Sequence, residues 1–221
     1  MLLKGEDRIA TRKVVVIGAG GHAKVIIDIL LADPSIEIAG CTSRQQNRMC
    51  AGVPVLGDDS ILPELYYQGV RHAFIAIGDN RMRYKLSLQT AAIGFQPVNA
   101  VSPRAYVAQS ASLGAGIAVM PGAVINAEAS IMDYAIINTN ASVDHECEIG
   151  RFCHIAPGSA LSGNVKVGEG SFLGTGTSVI DGISIGSWTT VGAGSTVVRP
   201  LPSDCVAYGV PAKVIRQTPK P

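Results

Sequence analysis

The second half of this 221-residue chain repeats with a period of six residues. From residue 107 to residue 197, every sixth position is aliphatic, sixteen times in succession: Val107, Leu113, Val119, Ile125, Ile131, Ile137, Val143, Ile149, Ile155, Leu161, Val167, Leu173, Val179, Ile185, Val191 and Val197. The residue four places after each is usually Ala, Cys, Ser or Thr. A period of six fits neither the 3.6-residue turn of an α-helix nor the alternation of a free-standing strand. We therefore expect stacked coils, in which each aliphatic side chain packs on the one in the coil below.

Glycine often directly follows the aliphatic position of this repeat, as at Gly114, Gly150, Gly168, Gly174, Gly186 and Gly192. Glycine adopts backbone angles that other residues avoid. We expect these glycines to form the tight corners between successive strands. The pattern is that of the hexapeptide repeat, and it predicts a parallel β-helix over residues 101–202.

The first half of the chain has the pattern of a small α/β domain. Apolar runs at residues 13–17, 36–41 and 71–77 predict buried parallel strands. Helical segments are expected between them and after them, at about residues 23–31, 58–68 and 80–92. This order predicts a Rossmann-like βαβαβ domain over residues 13–100. Residues 1–12 are expected to be an N-terminal tail, and residues 203–221 a C-terminal tail.

A glycine-rich turn joins the first predicted strand to the first helix. Gly18, Gly20 and Ala23 satisfy the G-x-G-x-x-G/A fingerprint of dinucleotide-binding folds. An NAD-binding domain also needs an acid where its second strand ends, for the ribose hydroxyls. Residues 41–43 are Cys-Thr-Ser, so that acid is absent. This absence favours a nucleotide or nucleotide-sugar phosphate over NAD.

The same turn is a candidate binding site because backbone N–H groups at a helix N-terminus attract anions. We expect Gly20, Gly21 and His22 to contact the ligand, with Gly78 at the same edge of the sheet. The alternative for His22 is that it only caps the loop.

Two histidines lie within the repeat, where an aliphatic core has no use for them. His145 stands between Asp144 and Glu146. A carboxylate bonded to one ring nitrogen fixes the tautomer and makes the imidazole a better base. His145 is therefore a candidate general base, although the alternative, that all three residues are ordinary exposed polar groups, stays open. The spacing leaves open whether His154 lies on the same face.

The composition argues against several classes of function. The 18 Lys and Arg residues are balanced by 17 Asp and Glu residues, which gives no reason to expect nucleic acid as a partner. No apolar run is long enough to span a membrane, and residues 1–12 lack the apolar centre of a signal peptide. The five cysteines have neither C-x-x-C nor zinc-ligand spacing, so we expect no metal site and a reducing cytoplasm. Cys147 and Cys153 take small-residue positions of the repeat, which disfavours an acyl-enzyme at either.

Several motifs give the chain a resemblance to a known family. They are V-I-G-A-G-G-H-A-K-V at residues 16–25, A-I-G-D-N-R at 76–81, the run at 138–158 that contains V-D-H-E-C-E-I-G, and G-V-P-A-K at 209–213. The chain resembles hexapeptide-repeat acyltransferases, and more narrowly the bacterial nucleotide-sugar N-acetyltransferases of pathways such as bacillosamine synthesis. The resemblance implies a left-handed parallel β-helix, a homotrimer, and acetyl-CoA bound in the groove between subunits.

The resemblance also implies roles for individual residues. His145 is expected to be the general base, with Glu146 raising its basicity. The expected contacts to acetyl-CoA are His154, Thr175 and Ala193, and Asn138 is expected near the sugar. The acceptor is expected to be the 4-amino group of an amino-dideoxy sugar, UDP-linked rather than GDP-linked, for surface glycan synthesis.

Two other functions remain open at this point. One is an O-acetyltransferase that acts on a hydroxyl of a sugar such as sialic acid, which the sequence separates poorly from an N-acetyltransferase. The other is a non-catalytic β-helix that only binds sugar nucleotides. His145 between two acids argues against the second, because a scaffold has no need of that arrangement.

Overall fold

The computed structural model describes residues 11–44 and 49–219. Residues 1–10 of the expected N-terminal tail lie outside the described residues, and Arg12 already belongs to the first strand. Within the described residues, no helix is both long enough and apolar enough to cross a membrane.

The N-terminal part is a six-stranded sheet with helices on both sides. Its elements are β1 Arg12–Ile17, α1 Gly21–Leu31, β2 Ile36–Thr42, β3 Met49–Cys50, β4 Val53–Gly57, a one-turn 3₁₀ helix Asp59–Ile61, α2 Leu62–Tyr67, β5 His72–Ile75, α3 Asn80–Ile93 and β6 Gln96–Pro97. The strand order is β3-β4-β2-β1-β5-β6, and every neighbouring pair is parallel except β3 with β4. The predicted Rossmann-like core is confirmed, and β3 and β4 are additions that the sequence pattern did not reveal.

The central strand β1 is buried on both faces. Val14 and Val16 pack with α1, whereas Val15 and Ile17 pack with residues of α2 and α3 on the other side. All four are at most 1% exposed, which explains why this strand is a continuous apolar run rather than an alternating one.

The C-terminal part begins with seventeen strands of two residues each. They are β7 Ala100–Val101, β8 Tyr106–Val107, β9 Ser112–Leu113, β10 Ala118–Val119, β11 Val124–Ile125, β12 Ser130–Ile131, β13 Ile136–Ile137, β14 Ser142–Val143, β15 Glu148–Ile149, β16 His154–Ile155, β17 Ala160–Leu161, β18 Lys166–Val167, β19 Phe172–Leu173, β20 Ser178–Val179, β21 Ser184–Ile185, β22 Thr190–Val191 and β23 Thr196–Val197. From β7 to β20, each strand pairs in parallel with the third strand after it, so one coil comprises three hexads. The result is the predicted left-handed parallel β-helix, a prism with three faces.

We number the faces by their strands. Face 1 contains β7, β10, β13, β16, β19 and β22, face 2 contains β8, β11, β14, β17, β20 and β23, and face 3 contains β9, β12, β15, β18 and β21. The aliphatic positions of the repeat point into one continuous core, where Ile125 through Val197 are at most 3% exposed. The small residues four places later are buried with them, for example Ala129 and Ala135 at 0%.

The role expected for the glycines that follow the aliphatic residues is wrong. Positive φ values recur three residues after the aliphatic position, at residues as different as Glu128 (61°), Tyr134 (59°) and Gly176 (69°). The glycine directly after the aliphatic residue instead lets the next coil approach. A Cβ on Gly174 would stand 2.6 Å from the backbone N of Ala193, far inside van der Waals contact.

The expected C-terminal tail contributes two further strands. β24 Cys205–Gly209 pairs in parallel with β22, and β25 Ala212–Gln217 pairs antiparallel with β24. Together they extend face 1 to eight strands.

Candidate active site

His154 lies where face 1 of the β-helix meets the α/β domain. Its Nδ1 is 3.2 Å from the carbonyl oxygen of Gly78, and its Nε2 is 2.9 Å from Nδ2 of Asn138. A carbonyl only accepts, so Nδ1 carries the proton and Nε2 accepts from the Asn138 amide. Burial and then the charge of Arg83 lower the pKa of His154 to about 3. His154 is therefore a neutral, hydrogen-bonded group at physiological pH.

His22 faces the same junction from the α/β domain, and its ring centroid lies 6.4 Å from that of His154. Burial and the charge of Arg83 lower the pKa of His22 to about 4. Its Nε2 is buried and has no hydrogen-bond partner among the described residues. An orphaned polar atom in such a place fits a ligand contact better than a loop cap.

The glycine-rich turn before His22 is open to a ligand. Gly20 is the N-cap of α1, no side chain caps this helix end, and a Cβ on Gly20 or Gly21 would meet no atom within 4 Å. The free N–H groups of the eleven-residue helix make this end suitable for a phosphate. A cavity of about 300 Å³ lies against the turn, between Gly18–Gly20, the end of β2 and the start of α3.

Arg83 of α3 joins the two parts of the chain, and no sequence motif pointed to it. Its side chain is almost fully buried, with 1% of the residue exposed. It donates to six oxygen atoms at 2.8–3.3 Å: the carbonyls of Ile77, Gly78, Tyr134, Phe152 and Cys153, and Oδ1 of Asn80. Burial lowers the pKa of Arg83 to about 10, which still leaves it charged at neutral pH. The helical spacing could have indicated its burial, because Arg83 lies three residues before the buried Leu86, on the apolar side of α3.

His145 occupies the edge between face 2 and face 3. Its Nδ1 is 3.0 Å from Oε2 of Glu146, and its side chain is about half exposed. Asp144 accepts hydrogen bonds at 2.8 Å from the backbone N of His145 and from Nδ2 of Asn126. The hydrogen bond to Glu146, together with the charges of Asp144 and Asp181, raises the pKa of His145. This is the environment expected of a base with a free Nε2.

Thr175 and Ala193 occupy a different edge, between face 1 and face 2. Both are exposed and they are stacked on successive coils, since the N–H of Gly194 donates to the carbonyl of Thr175 at 2.8 Å. The two parts of the predicted site are thus separated within one chain. His22, Gly78, Asn138 and His154 come together at face 1, whereas His145 and Glu146 lie on an edge that face 1 does not share.

The two cysteines beside the histidines are poor nucleophiles. Cys147 and Cys153 are completely buried in the core of the β-helix. Burial raises the pKa of both thiols, that of Cys153 to about 12. A thiol that stays protonated and inaccessible does not form an acyl-enzyme.

Comparison with known proteins places this arrangement in a family. The family model described as PglD N-terminal domain matches residues 13–89. A mutant of perosamine N-acetyltransferase from Caulobacter crescentus, solved with CoA and GDP-perosamine, is 51% identical with a TM-score of 0.90, over 93% of this chain and 97% of that one. The acetyltransferase domain of PglB from Neisseria gonorrhoeae FA1090, solved with acetyl coenzyme A, is 37% identical with a TM-score of 0.88, over 93% and 100% of the two chains.

A curated relative, the uncharacterized protein L142 of Acanthamoeba polyphaga mimivirus, is 33% identical over 104 residues. That match covers 47% of this chain and only 20% of the viral protein, so it adds nothing on function. The two solved structures, in contrast, match nearly from end to end and share both the α/β domain and the stacked coils. The chain therefore belongs to the hexapeptide-repeat family of acetyl-CoA-dependent nucleotide-sugar N-acetyltransferases.

Proposed function

We propose that this protein transfers the acetyl group of acetyl-CoA to the 4-amino group of a GDP-linked amino-dideoxy sugar, with His145 as the general base. The observation that carries the proposal is the His145–Glu146 pair. Glu146 accepts a hydrogen bond from Nδ1–H of His145. The lone pair of Nε2 then points away from Glu146 and is free to accept a proton. The raised pKa of His145 increases its strength as a base.

The chemistry needs only these groups and two correctly placed substrates. The sugar nitrogen attacks the thioester carbonyl of acetyl-CoA, and Nε2 of His145 accepts the proton that the nitrogen loses. The tetrahedral intermediate then breaks its carbon–sulfur bond, which releases CoA thiolate and the acetamido sugar. Holding both substrates in this geometry is itself a large part of the rate enhancement.

The choice of GDP over UDP rests on similarity. The resemblance of the sequence to the bacillosamine enzymes favoured UDP. The relative at 51% identity, however, was solved with GDP-perosamine, over almost the whole of both chains. We therefore assign nucleotide-sugar binding to residues 13–100, through Gly20, Gly21, His22 and Gly78, and the GDP-linked sugar as the acceptor.

Acetyl-CoA is assigned to the β-helix of residues 101–202, with Thr175 and Ala193 along the edge between face 1 and face 2. His154 uses both ring nitrogens inside the protein, so its contact with the cofactor would be through the ring edge or would require Asn138 to release Nε2. Asn138, bonded to His154, remains the expected neighbour of the sugar.

A homotrimer explains the separation of the two parts of the site. One chain leaves His145 on the edge between faces 2 and 3, away from the junction that contains His22 and His154. Three prisms packed about an axis would bring the His145 edge of one copy against a neighbouring copy. The complete site would then lie between two subunits.

The experiment is release of CoA thiol from acetyl-CoA with GDP- and UDP-linked 4-amino sugars and with free sialic acid as acceptors. We expect turnover with the GDP-linked amino sugar and a loss of at least 100-fold in kcat for His145→Asn, in the range typical of a lost general base. His72→Asn is the matched control, because His72 lies at the start of strand β5, whereas the site lies beyond its C-terminal end. This variant should retain full activity. Turnover with the hydroxyl acceptor alone would make the protein an O-acetyltransferase, and full activity of His145→Asn would contradict its role.

Subunit sharing is tested by complementation. His145→Asn and Gly21→Asp, which places a carboxylate where we expect phosphate, should each be inactive alone. Mixed trimers from co-expression should regain a fraction of wild-type activity, because some seams then contain neither substitution. Monomers in solution, or mixtures as inactive as the two parents, would contradict the shared site.

A further inference from the structure

The end of strand β2 lacks the acid that nucleotide-binding α/β domains use for ribose, but the fold supplies one from elsewhere. Strand β4 runs parallel to β2, with Thr42 opposite Gly57, so both strands end at the same edge of the sheet. The 3₁₀ helix that follows β4 begins at Asp59. Oδ1 of Asp59 accepts a hydrogen bond of 2.6 Å from Oγ1 of Thr42. A carboxylate thus lies at the end of β2, although it comes from seventeen residues further along the chain.

The Thr42 hydroxyl holds this carboxylate in one orientation. Thr42 is completely buried, whereas Asp59 is partly exposed. Among residues 11–44 and 49–219, Asp59 takes part in no ion pair. A carboxylate has about four lone-pair sites, and the hydrogen bond from Thr42 occupies one of them. Asp59 therefore retains acceptor capacity for a ligand.

The same cavity carries the groups that a nucleotide needs. Asp59 and Thr42 line it together with the glycine-rich turn Gly18–Gly20. Apolar side chains, among them Ile77 and Met82, form another part of the wall. A carboxylate repels phosphate, so we expect the phosphate to bind at the N-terminus of α1. Asp59 is suited instead to a neutral group that donates hydrogen bonds. In domains of this kind, a carboxylate at the end of the second strand binds the ribose hydroxyls.

We propose that Asp59, oriented by Thr42, binds the ribose hydroxyls of the nucleotide and replaces the acid that strand β2 lacks. This inference rests on the proposed function, in that residues 13–100 bind a nucleotide sugar. It names a specificity-determining pair that neither the glycine fingerprint nor the end of β2 revealed in the sequence.

The test is calorimetric titration of the intact protein with GDP and with 2′-deoxy-GDP. Wild type should bind GDP roughly 10-fold more tightly than 2′-deoxy-GDP, the typical effect of one hydrogen bond to a charged group. Asp59→Asn should weaken GDP binding by roughly 10- to 100-fold and reduce the difference between the two nucleotides to about 3-fold or less. Thr42→Val keeps the carboxylate but removes its orienting bond, and should give the same change to a smaller extent.

Asp58→Asn is the matched control. Asp58 is exposed, does not line the cavity, and caps the 3₁₀ helix through Ser60, a role that Asn fulfils equally well. This variant should bind both nucleotides as wild type does. Equal affinity of wild type for the two nucleotides, or undiminished discrimination in Asp59→Asn, would overturn the inference and leave the proposed function intact. No binding of GDP to wild type would overturn both.

Discussion

The position of Gly163 offers a test of His145 that leaves the histidine itself unchanged. Gly163 lies one coil beyond His145 on the same edge, and a Cβ built on it would stand 2.4 Å from Cε1 and 2.6 Å from Nε2 of His145. Its φ does not fall in the left-handed region, so the backbone accepts an alanine. The third close atom, Oδ1 of Asp181 at 3.0 Å, belongs to an exposed side chain and needs to move by only a few tenths of an ångström. Gly163→Ala should therefore displace chiefly the imidazole, without disturbing the corner.

The size of the effect follows from these distances. Carbon atoms in contact lie about 3.5 Å apart, so the ring must move by roughly 1 Å. A misplacement of about 1 Å in a catalytic group can reduce the rate by about 100-fold. The ring is half exposed and can move into solvent, so the core is not affected. Alanine for glycine at a permitted φ changes the free energy of unfolding by about 1 kcal/mol or less, in the stabilising direction.

The assay compares kcat and thermal unfolding of four proteins: wild type, Gly163→Ala, His145→Asn and the double variant. We expect Gly163→Ala to lower kcat by about 10- to 100-fold while its Tm stays at or above that of wild type. If the loss acts through the imidazole, Gly163→Ala should cause no further loss in the His145→Asn background. Wild-type kcat in Gly163→Ala, or equal losses in both backgrounds, would refute the placement of the base on this edge.

Three further predictions concern charge and burial. Because His145 must be neutral to accept a proton and its pKa is raised, kcat should rise with pH through a midpoint above 6.5. Glu146→Gln should shift that midpoint to lower pH, and an unchanged midpoint in the pH–rate profile would contradict the pairing of Glu146 with His145. Arg83→Lys removes two of five donors from a buried site, so denaturant unfolding should show a loss of about 2–4 kcal/mol, whereas Lys85→Ala on the exposed side of α3 should change little. The pKa of His154 falls from 6.5 in the unfolded chain to about 3 in the folded protein, so the unfolded state binds one more proton between these values and the Tm should fall as pH falls from about 6.5 towards 3. His154→Gln should make the Tm depend less on pH over this range, and an unchanged dependence would contradict a buried neutral His154.

The sequence predicted the architecture well because the repeat is a local signal. One aliphatic residue every six positions fixes the length of a coil and the side that faces the core, so Val143 and Ile155 could be assigned to the core from the sequence alone. The α/β core was equally accessible through the buried run at β1. Strand β4 was not predicted because Pro54 and Gly57 interrupt its short apolar pattern. Without β4, there was no reason in the sequence to place the carboxylate of Asp59 at the end of β2.

The site was predicted less completely because its contacts join distant parts of the chain. Gly78 and His154 are 76 residues apart, and Arg83 reaches carbonyls up to 70 residues away. Contacts between residues so far apart in sequence depend on which coil of the β-helix packs against the α/β domain, and no pattern of residues in the sequence indicates that coil. The roles of His145 and Glu146 were predicted from neighbours in sequence, which is why their hydrogen bond could be expected.

The environment of each histidine decides which of them can serve as a base. At the junction, the charge of Arg83 is buried and its donors all face neutral oxygen atoms, so a protonated His22 or His154 beside it would place two like charges in a region of low dielectric. These two histidines are therefore restricted to neutral hydrogen bonding. His145 stands on an exposed edge between carboxylates, where a proton is stabilised rather than penalised. The proposed proton transfer at the edge and the proposed ligand positioning at the junction would thus use the same residue type in opposite electrostatic settings. The proposed trimer would bring the two together in one site.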